Sequence, residues 1–336
     1  MKTYNVAIVG ATGAVGHEFL KVMEERNFPV GELRLLATER SEGKIMRYRG
    51  QDYTVHATTK DSFAGVQIAL FAGGAASLEY GPAAVAAGAV VIDNSSNYRY
   101  QDDVPLVVPE VNPEDLRWHK GIIANPNCST IQMVVALKPL HDAAKIKRIQ
   151  VSTYQAVSGA GLPGLEELRQ QTEDLNAGRP VQSKVFQHQI AYNVIPQIDV
   201  LMDNDYYKEE MKMVWETQKM LHDAELRVSC TAVRVPVYRS HSESIAIETE
   251  RPLSPEQARE ILAQAPGVQV IDDPAHSEYP MPLLASDTDT VYVGRIRKDI
   301  STENGLCLWV VADQIRKGAA TNAVQIAQLL IEEGLV

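Results

Sequence analysis

The chain has 336 residues, 45% hydrophobic and 22% charged, the balance of an ordinary soluble globular protein. A formal net charge of −11 argues against a nucleic-acid backbone or an anionic membrane as the main partner, so any cations that bind phosphate must be gathered locally. Cys128, Cys230 and Cys307 are odd in number, far apart and without C-x-x-C spacing, which disfavours a disulfide framework or a structural zinc site, and no metal is expected.

A strand pattern begins within the first residues, where a signal peptide would have to lie, and no apolar run approaches the ~20 residues of a membrane span. A cytoplasmic protein is expected. Y-N-V-A-I-V, residues 4–9, reads as a strand, then G-A-T-G-A-V-G, then an amphipathic helix with Phe19, Leu20 and Met23 inward. Further strands are expected at 33–37, 68–72, 90–93, 106–108 and 122–124, separated by helical or turn-rich pieces. Such alternation predicts a mainly parallel, doubly wound sheet of the Rossmann type. After residue 128 the pattern changes. A helix over 129–144 leads into a long strand ending in S-G-A-G, and helical segments follow around 164–175 and 208–221. Four alternating strands then precede a last helix over 319–333, which carries Ala323, Ile326, Ala327 and Leu330 on one stripe. The fold class is α/β, with residues 1–127 and the C-terminal 314–336 as a nucleotide-binding domain. Residues 128–313 are expected to form a second, α+β domain on a mixed, largely antiparallel sheet.

Gly10, Gly13 and Gly16 stand between the first strand and helix, where glycines permit a tight turn and let backbone N–H groups approach a pyrophosphate. At the end of the second strand Glu39 is followed by Arg40 and Ser41, a cation and a hydroxyl suited to a 2′-phosphate. NADP is therefore favoured as cofactor over NAD; the competing reading is a solvated charged turn.

Two readings of Cys128, in A-N-P-N-C-S-T, compete: inert packing, and a nucleophile. A turn-to-helix position exposes sulfur to unpaired N–H groups and the positive end of the helix dipole, which favours the thiolate. Asn127 and the first helical N–H groups can hold a developing oxyanion. Cys230 and Cys307 sit inside alternating strand patterns and read as core. In R-V-P-V-Y-R-S-H-S-E, His241 ends a strand among polar residues and is a candidate for proton transfer. Arg234 lies seven residues earlier, so on one flat strand the two would face apart; a bulge or turn near Pro236 or Ser240 must realign them.

Together V-A-I-V-G-A-T-G-A-V-G, D-N-S-S-N-Y-R, N-P-N-C-S-T, Y-Q-A-V-S-G-A-G, E-E-M-K-M, R-V-P-V-Y-R-S-H-S-E and G-R-I-R-K-D identify a resemblance, running over essentially the whole chain, to the bacterial aspartate-β-semialdehyde dehydrogenases. The short 204–220 region resembles the Gram-positive branch. The resemblance implies that Cys128 is the nucleophile, His241 the acid–base residue and Gln155 the residue orienting substrate near the thioester. It also implies that Arg234 grips the substrate α-carboxylate, Glu209 receives its ammonium, and Arg99 and Lys212 hold phosphate. Thr12, Gly13, Ala14, Val15, Arg40, Ser41, Ser158, Gly159 and Gln314 would contact NADP.

The implied reaction reduces L-4-aspartyl phosphate to L-aspartate 4-semialdehyde with NADPH through a cysteine thioester, releasing phosphate, in the pathway to lysine, methionine and threonine. Relatives are dimers or tetramers, and a homodimer is expected. The nearest rival is another phosphorylating semialdehyde dehydrogenase, such as an N-acetyl-glutamyl-phosphate reductase, which has no need of Glu209 for an ammonium. A catalytically silent NADP-binding protein is the rival of a different class.

Overall fold

The apolar run Tyr4–Val9 forms strand β1, and its alternate side chains go to opposite faces of a sheet that is covered on both. Val6 and Ile8 join one buried cluster, and Ala7 and Val9 join another. A strand buried on both faces reads as a continuous apolar run rather than an alternating one, as this stretch does. The structure, a computed structural model, describes residues 2–336. It divides into two units, residues 1–127 with 319–336, and residues 128–318; residues 314–318 thus stand in the second.

In the first unit β1 leads to helix α1 (Ala14–Glu25), then β2 (Val30–Ala37), β3 (Ile45–Tyr48), β4 (Gln51–Ala57), β5 (Ile68–Phe71), α2 (Ala76–Ala86), β6 (Val90–Asp93) and β7 (Ile122–Ala124). Among the described residues these strands make one seven-stranded sheet in the order β3-β4-β2-β1-β5-β6-β7, parallel except for the β3–β4 hairpin. Phe19, Val22 and Met23 of α1 share a buried cluster with Ala323, Ile326, Ala327 and Leu330 of the final helix, Thr321–Glu332. Each such large apolar side chain contributes about 1.5–3 kcal/mol by leaving water.

Two expectations differ from the fold here. Residues 106–108 are no strand; Leu106 makes a single bridge to Ala124. The β3–β4 hairpin was not expected, because its turn is Arg49-Gly50, both at positive φ, without the Asn-Gly signal of such turns.

The second unit runs α3 (Cys128–Ala144), β8 (Ile146–Gln155), α4 (Leu162–Asn176), α5 (Lys208–Met220), β9 (Arg227–Arg234), β10 (His241–Thr249), α6 (Pro255–Ala263), β11 (Val268–Val270), α7 (Pro282–Ala285), β12 (Val291–Lys298) and β13 (Gly305–Ala312). Its six strands, counted among the described residues, lie in the order β11-β12-β13-β10-β8-β9. The β8–β9 and β11–β12 pairs are parallel and the others antiparallel, the mixed sheet that was expected. Helices α3, α5 and α6 cover the face that carries Ile149, Val151, Ile245 and Ile247. The other face is mixed: polar along β8, with Tyr154 and Trp309 ring to ring at 5.5 Å, and a small buried cluster at Tyr292 and Val311. Among the described residues no helix is long and apolar enough to cross a membrane.

Candidate active site

In the first unit the glycine loop has the shape its sequence demands. Gly10 takes φ +82°, a left-handed value that a side chain disfavours. A Cβ on Gly16 would stand 2.3 Å from the Ala11 carbonyl oxygen, so only glycine lets α1 approach the end of β1 this closely. Beside the loop lies a cleft of about 690 Å³ lined by Gly10, Thr38, Glu39, Arg40, Gly73 and Ala76, among others. Its size suits a ligand of nucleotide class.

Thr12 Oγ1 lies 3.2 Å from Ser41 Oγ, which also accepts from Lys44 Nζ at 3.4 Å. Lys44 is thus a second cation beside Ser41 that sequence reasoning missed, and Gly73-Gly74 after β5 is a second turn that it passed over. Both glycines have positive φ. Ala14 and Val15 open α1, with Val15 against the core. Arg99 is buried and donates from Nη2 to the Asn94 carbonyl at 2.8 Å. Asn127, also buried, ends this unit.

The second unit gathers its polar side chains at neighbouring strand ends. Gln155 ends β8 and pairs in register with Arg234, which ends β9. His241 opens β10 on the other side of β8, one residue before the Ser242–Tyr154 pair. Gln155, Arg234 and His241 are all buried. The alternation of each strand turns all three to the helix-covered side. The seven-residue spacing is therefore resolved by two separate strands. Between them Ser240 takes φ +74°, the turn that the parity argument required.

The contacts are specific. Gln155 Nε2 donates to Glu209 Oε1 at 3.1 Å and stands 3.4 Å from His241 Nε2. Glu209 Oε2 accepts from Lys212 Nζ at 2.9 Å, and Lys212 also donates to Asp199 at 2.8 Å. The i, i+3 spacing on α5 thus brings Glu209 and Lys212 into an ion pair that is largely buried rather than on a solvated face. Burial works against the Lys212 ammonium, but Glu209 and Asp199 outweigh it and hold it above the usual lysine value. Arg234 Nη1 donates to the Ala156 carbonyl at 2.7 Å, and the guanidinium lies 5.8 Å from the centre of the Phe186 ring. Burial lowers its pKa from the ordinary value, opposed by the charges of Glu209 and Cys128.

His241 is more constrained than its sequence suggested. The Ala156 N–H donates to its Nδ1 at 3.0 Å. A backbone amide can only donate, so the proton of the neutral ring is on Nε2. Burial, and after it the charge of Arg234, pushes the imidazole pKa down to about 3. The ring is neutral and presents an N–H. Two residues on, Glu243 is wholly buried on the same face, and burial raises its carboxyl well above the usual range against the opposing contact of Gln132. Gln132 in turn donates to the His241 carbonyl at 3.3 Å.

Cys128 is the first residue of α3 and is partly exposed. Cys230 is buried, and burial pushes its thiol up. Cys307 is partly exposed on β13, and burial raises its thiol too. Ser158, Gly159 and Gln314, read as cofactor contacts, stand in this unit against its own polar groups. Gln314 Nε2 donates to Ser158 Oγ, and Gln314 Oε1 accepts from Ser240 N at 2.7 Å. A Cβ on Gly159 would lie 2.7 Å from Arg234 Nη1 and 3.4 Å from His241 Cε1, so that residue is bare where those two side chains need room.

A nucleotide-type glycine loop in one unit, and in the other a helix-opening cysteine with a buried arginine, carboxylate, amide and imidazole, define a class. Residues 5–119 match the family described as semialdehyde dehydrogenase, NAD binding domain, and residues 137–317 the semialdehyde dehydrogenase dimerisation domain. The chain is 61% identical over 338 residues to the aspartate-semialdehyde dehydrogenase of Aquifex aeolicus, covering 99% of each. It is similar, at 53% identity and a TM-score of 0.96 over 99% of each chain, to the crystal structure of aspartate semialdehyde dehydrogenase II of Vibrio cholerae complexed with ASA. A more distant likeness, at 26% identity and TM-score 0.79 over the whole of both chains, is to the Candida albicans enzyme with NADP. The chain belongs to the aspartate-semialdehyde dehydrogenase family.

Proposed function

We propose that this chain reduces L-4-aspartyl phosphate to L-aspartate 4-semialdehyde with release of phosphate, using NADPH, through a thioester on Cys128. The observation that carries the reading is a buried guanidinium, Arg234, within electrostatic reach of a buried carboxylate, Glu209, which accepts from the Gln155 amide. That arrangement complements the head group of an α-amino acid: guanidinium for the carboxylate, Glu209 for the ammonium. The relatives' names and the Vibrio complex support the same substrate. An N-acetylated substrate would leave Glu209 opposite an amide, which disfavours the nearest rival.

The Cys128 thiolate, favoured by the α3 N-terminus and by Arg234, attacks the acyl carbon. The carbon–oxygen bond to phosphate breaks and the thioester remains. NADPH, when bound, supplies the hydride that takes the acyl carbon to the aldehyde level; the carbon–sulfur bond then breaks and the thiolate returns. Each addition puts negative charge on the carbonyl oxygen. Gln155 Nε2 and His241 Nε2, 3.4 Å apart, are N–H donors for which such an oxygen is a natural common partner. We therefore assign His241 chiefly as a neutral donor, in place of a base that cycles through imidazolium. Asn127 and the first N–H groups of α3 are proposed as further donors to the same oxygen.

Arg99 and Lys212 are proposed as phosphate ligands, and replacing either with alanine should raise KM for phosphate. For the cofactor, Thr12, Arg40 and Ser41 would hold the 2′-phosphate, Gly10 to Val15 the pyrophosphate, and Ser158, Gly159 and Gln314 the nicotinamide end. The fit rests on the open glycine loop and on the cation and hydroxyls beside it.

We also propose a homodimer through the sheet face bearing Tyr154 and Trp309; a single-chain mass by light scattering would exclude it. A tetramer has no separate support. A cytoplasmic setting suits three cysteines of which none is in a disulfide. The short 204–220 region supports placement with the Gram-positive-like branch. The reaction is tested by phosphate-dependent NADPH formation from L-aspartate 4-semialdehyde, with N-acetyl-glutamate 5-semialdehyde beside it. Turnover of the second substrate alone would overturn the proposal.

A further inference from the structure

One short turn, Asp313 to Gly318, touches three parts of the second unit's site, although sequence reasoning gave it only a cofactor contact at Gln314. Its shape is unusual. Arg316–Ala320 is π-helical, and the Gly318 N–H donates five residues back to the Asp313 carbonyl at 3.1 Å. Such wide turns are rare and persist where other contacts hold them. Here Asp313, wholly buried, does so. Its Oδ1 accepts from the Ile315 and Arg316 amides at 2.9 and 3.1 Å. Its Oδ2 accepts from Arg239 Nε at 2.5 Å and from the Asp287 amide at 2.7 Å.

The turn ends against the cysteine. A Cβ built on Gly318 would lie 2.9 Å from Cys128 Cβ, 3.3 Å from its Cα and 3.4 Å from its carbonyl oxygen. The place where a side chain would stand is occupied by the cysteine's own backbone and Cβ, which cannot swing aside as a long side chain can. At the other end of the turn the Gln314 amide is used at both ends by the protein. It accepts from the Ser240 N–H at 2.7 Å and donates to Ser158 Oγ. Ser240 is buried at φ +74° and is directly bonded to His241. Without Gln314 its N–H would lose this acceptor, and the left-handed turn that aims His241 would lose its tie.

We propose that the Asp313–Gly318 turn is a positioning element, in which bare Gly318 sets the seat of Cys128 and Gln314, through Ser240, sets His241. The proposal rests on the reading of Cys128 and His241 as the reacting side chains. Neither Gly318 nor Gln314 needs to touch substrate for this role.

The test compares Gly318→Ala and Gln314→Leu with the wild type in the full chain. It reads iodoacetamide alkylation of Cys128 by peptide mapping without cofactor, steady-state kcat and KM for NADPH, and Tm. Gly318→Ala is expected to change the Cys128 alkylation rate by about tenfold or more and to lower kcat by about a hundredfold, with KM for NADPH within about twofold. Gln314→Leu is expected to lower kcat about tenfold with the Cys128 alkylation rate unchanged.

Wild-type alkylation and kcat in Gly318→Ala would overturn the seat. A raised KM for NADPH at unchanged kcat in Gln314→Leu would make that residue a cofactor contact only. If Gly318→Ala does not fold, Asp313→Asn, which loosens the turn without adding volume, takes its place with the same expected directions. A wild type that fails to turn over L-aspartate 4-semialdehyde would sink the proposed reaction yet leave the alkylation comparison standing, so the two failures are told apart.

Discussion

The two units build their sites from different materials. In the first, the binding surface is largely backbone: glycines at positive φ or pressed against carbonyl oxygens, at the end of a sheet buried on both faces. In the second, it is side chains: an amide, a guanidinium, a carboxylate and an imidazole drawn from three strand ends and a helix. Backbone sites need glycine at fixed intervals and tolerate change elsewhere. Side-chain sites need chemistry, and one atom out of place is felt. Substitutions in the second unit should therefore strike turnover, and those in the first should strike selectivity.

The largest expected effect is at Cys128, the proposed nucleophile. Cys128→Ala should lower kcat by about 10⁴-fold or more while NADPH binding, measured by fluorescence titration, stays intact. Substantial residual dehydrogenase activity would defeat the assignment. Next comes Arg234→Lys, which keeps the charge but loses the planar fork; kcat/KM for the semialdehyde should fall by about a hundredfold. If lysine serves as well, Arg234 is no carboxylate clamp.

In the first unit Arg40→Ala should weaken NADPH about tenfold and NADH hardly at all. Equal losses for both cofactors would remove the 2′-phosphate argument and blur the contrast between the two units.

The smallest effect is on stability. Burial raises the Glu243 carboxyl well above its ordinary value, so the folded chain keeps that proton to a higher pH than the unfolded chain does. Stability on its account falls as pH rises from the ordinary glutamate value toward the raised one. Glu243→Gln removes that loss, and its Tm gain should be greater at about pH 8.5 than at about pH 5.5. A gain independent of pH would mean that Glu243 is ionised in the fold.

Much of the fold was legible. The run at Tyr4–Val9, the stripe on the final helix and the long alternating strands carry the periods of 2 and 3.6 that local geometry imposes. The hairpin at Ile45–Tyr48 and Gln51–Ala57 was missed because Arg49-Gly50 is a weak turn signal. The place of Cys128 at a turn-to-helix junction was legible, and so was that of His241 among polar residues. The roles of Asp313 and the raised carboxyl of Glu243 were not, because each depends on neighbours distant in sequence: Arg239 and Asp287, and the roof that α3 places over β10; Lys44 was passed over although Ser41 is only three residues away.

The amino-acid order by itself determined which stretches become strand or helix, where glycine must stand, and which residues have the chemistry for acyl transfer. Those are local properties, fixed by backbone sterics and the alternation of side chains. Only the tertiary structure decided that Arg234 and His241 face the same way, because strand order puts β8 between them and cancels the parity of their spacing. It also decided the charge of His241, because burial and one backbone N–H from Ala156 set which nitrogen can carry a proton.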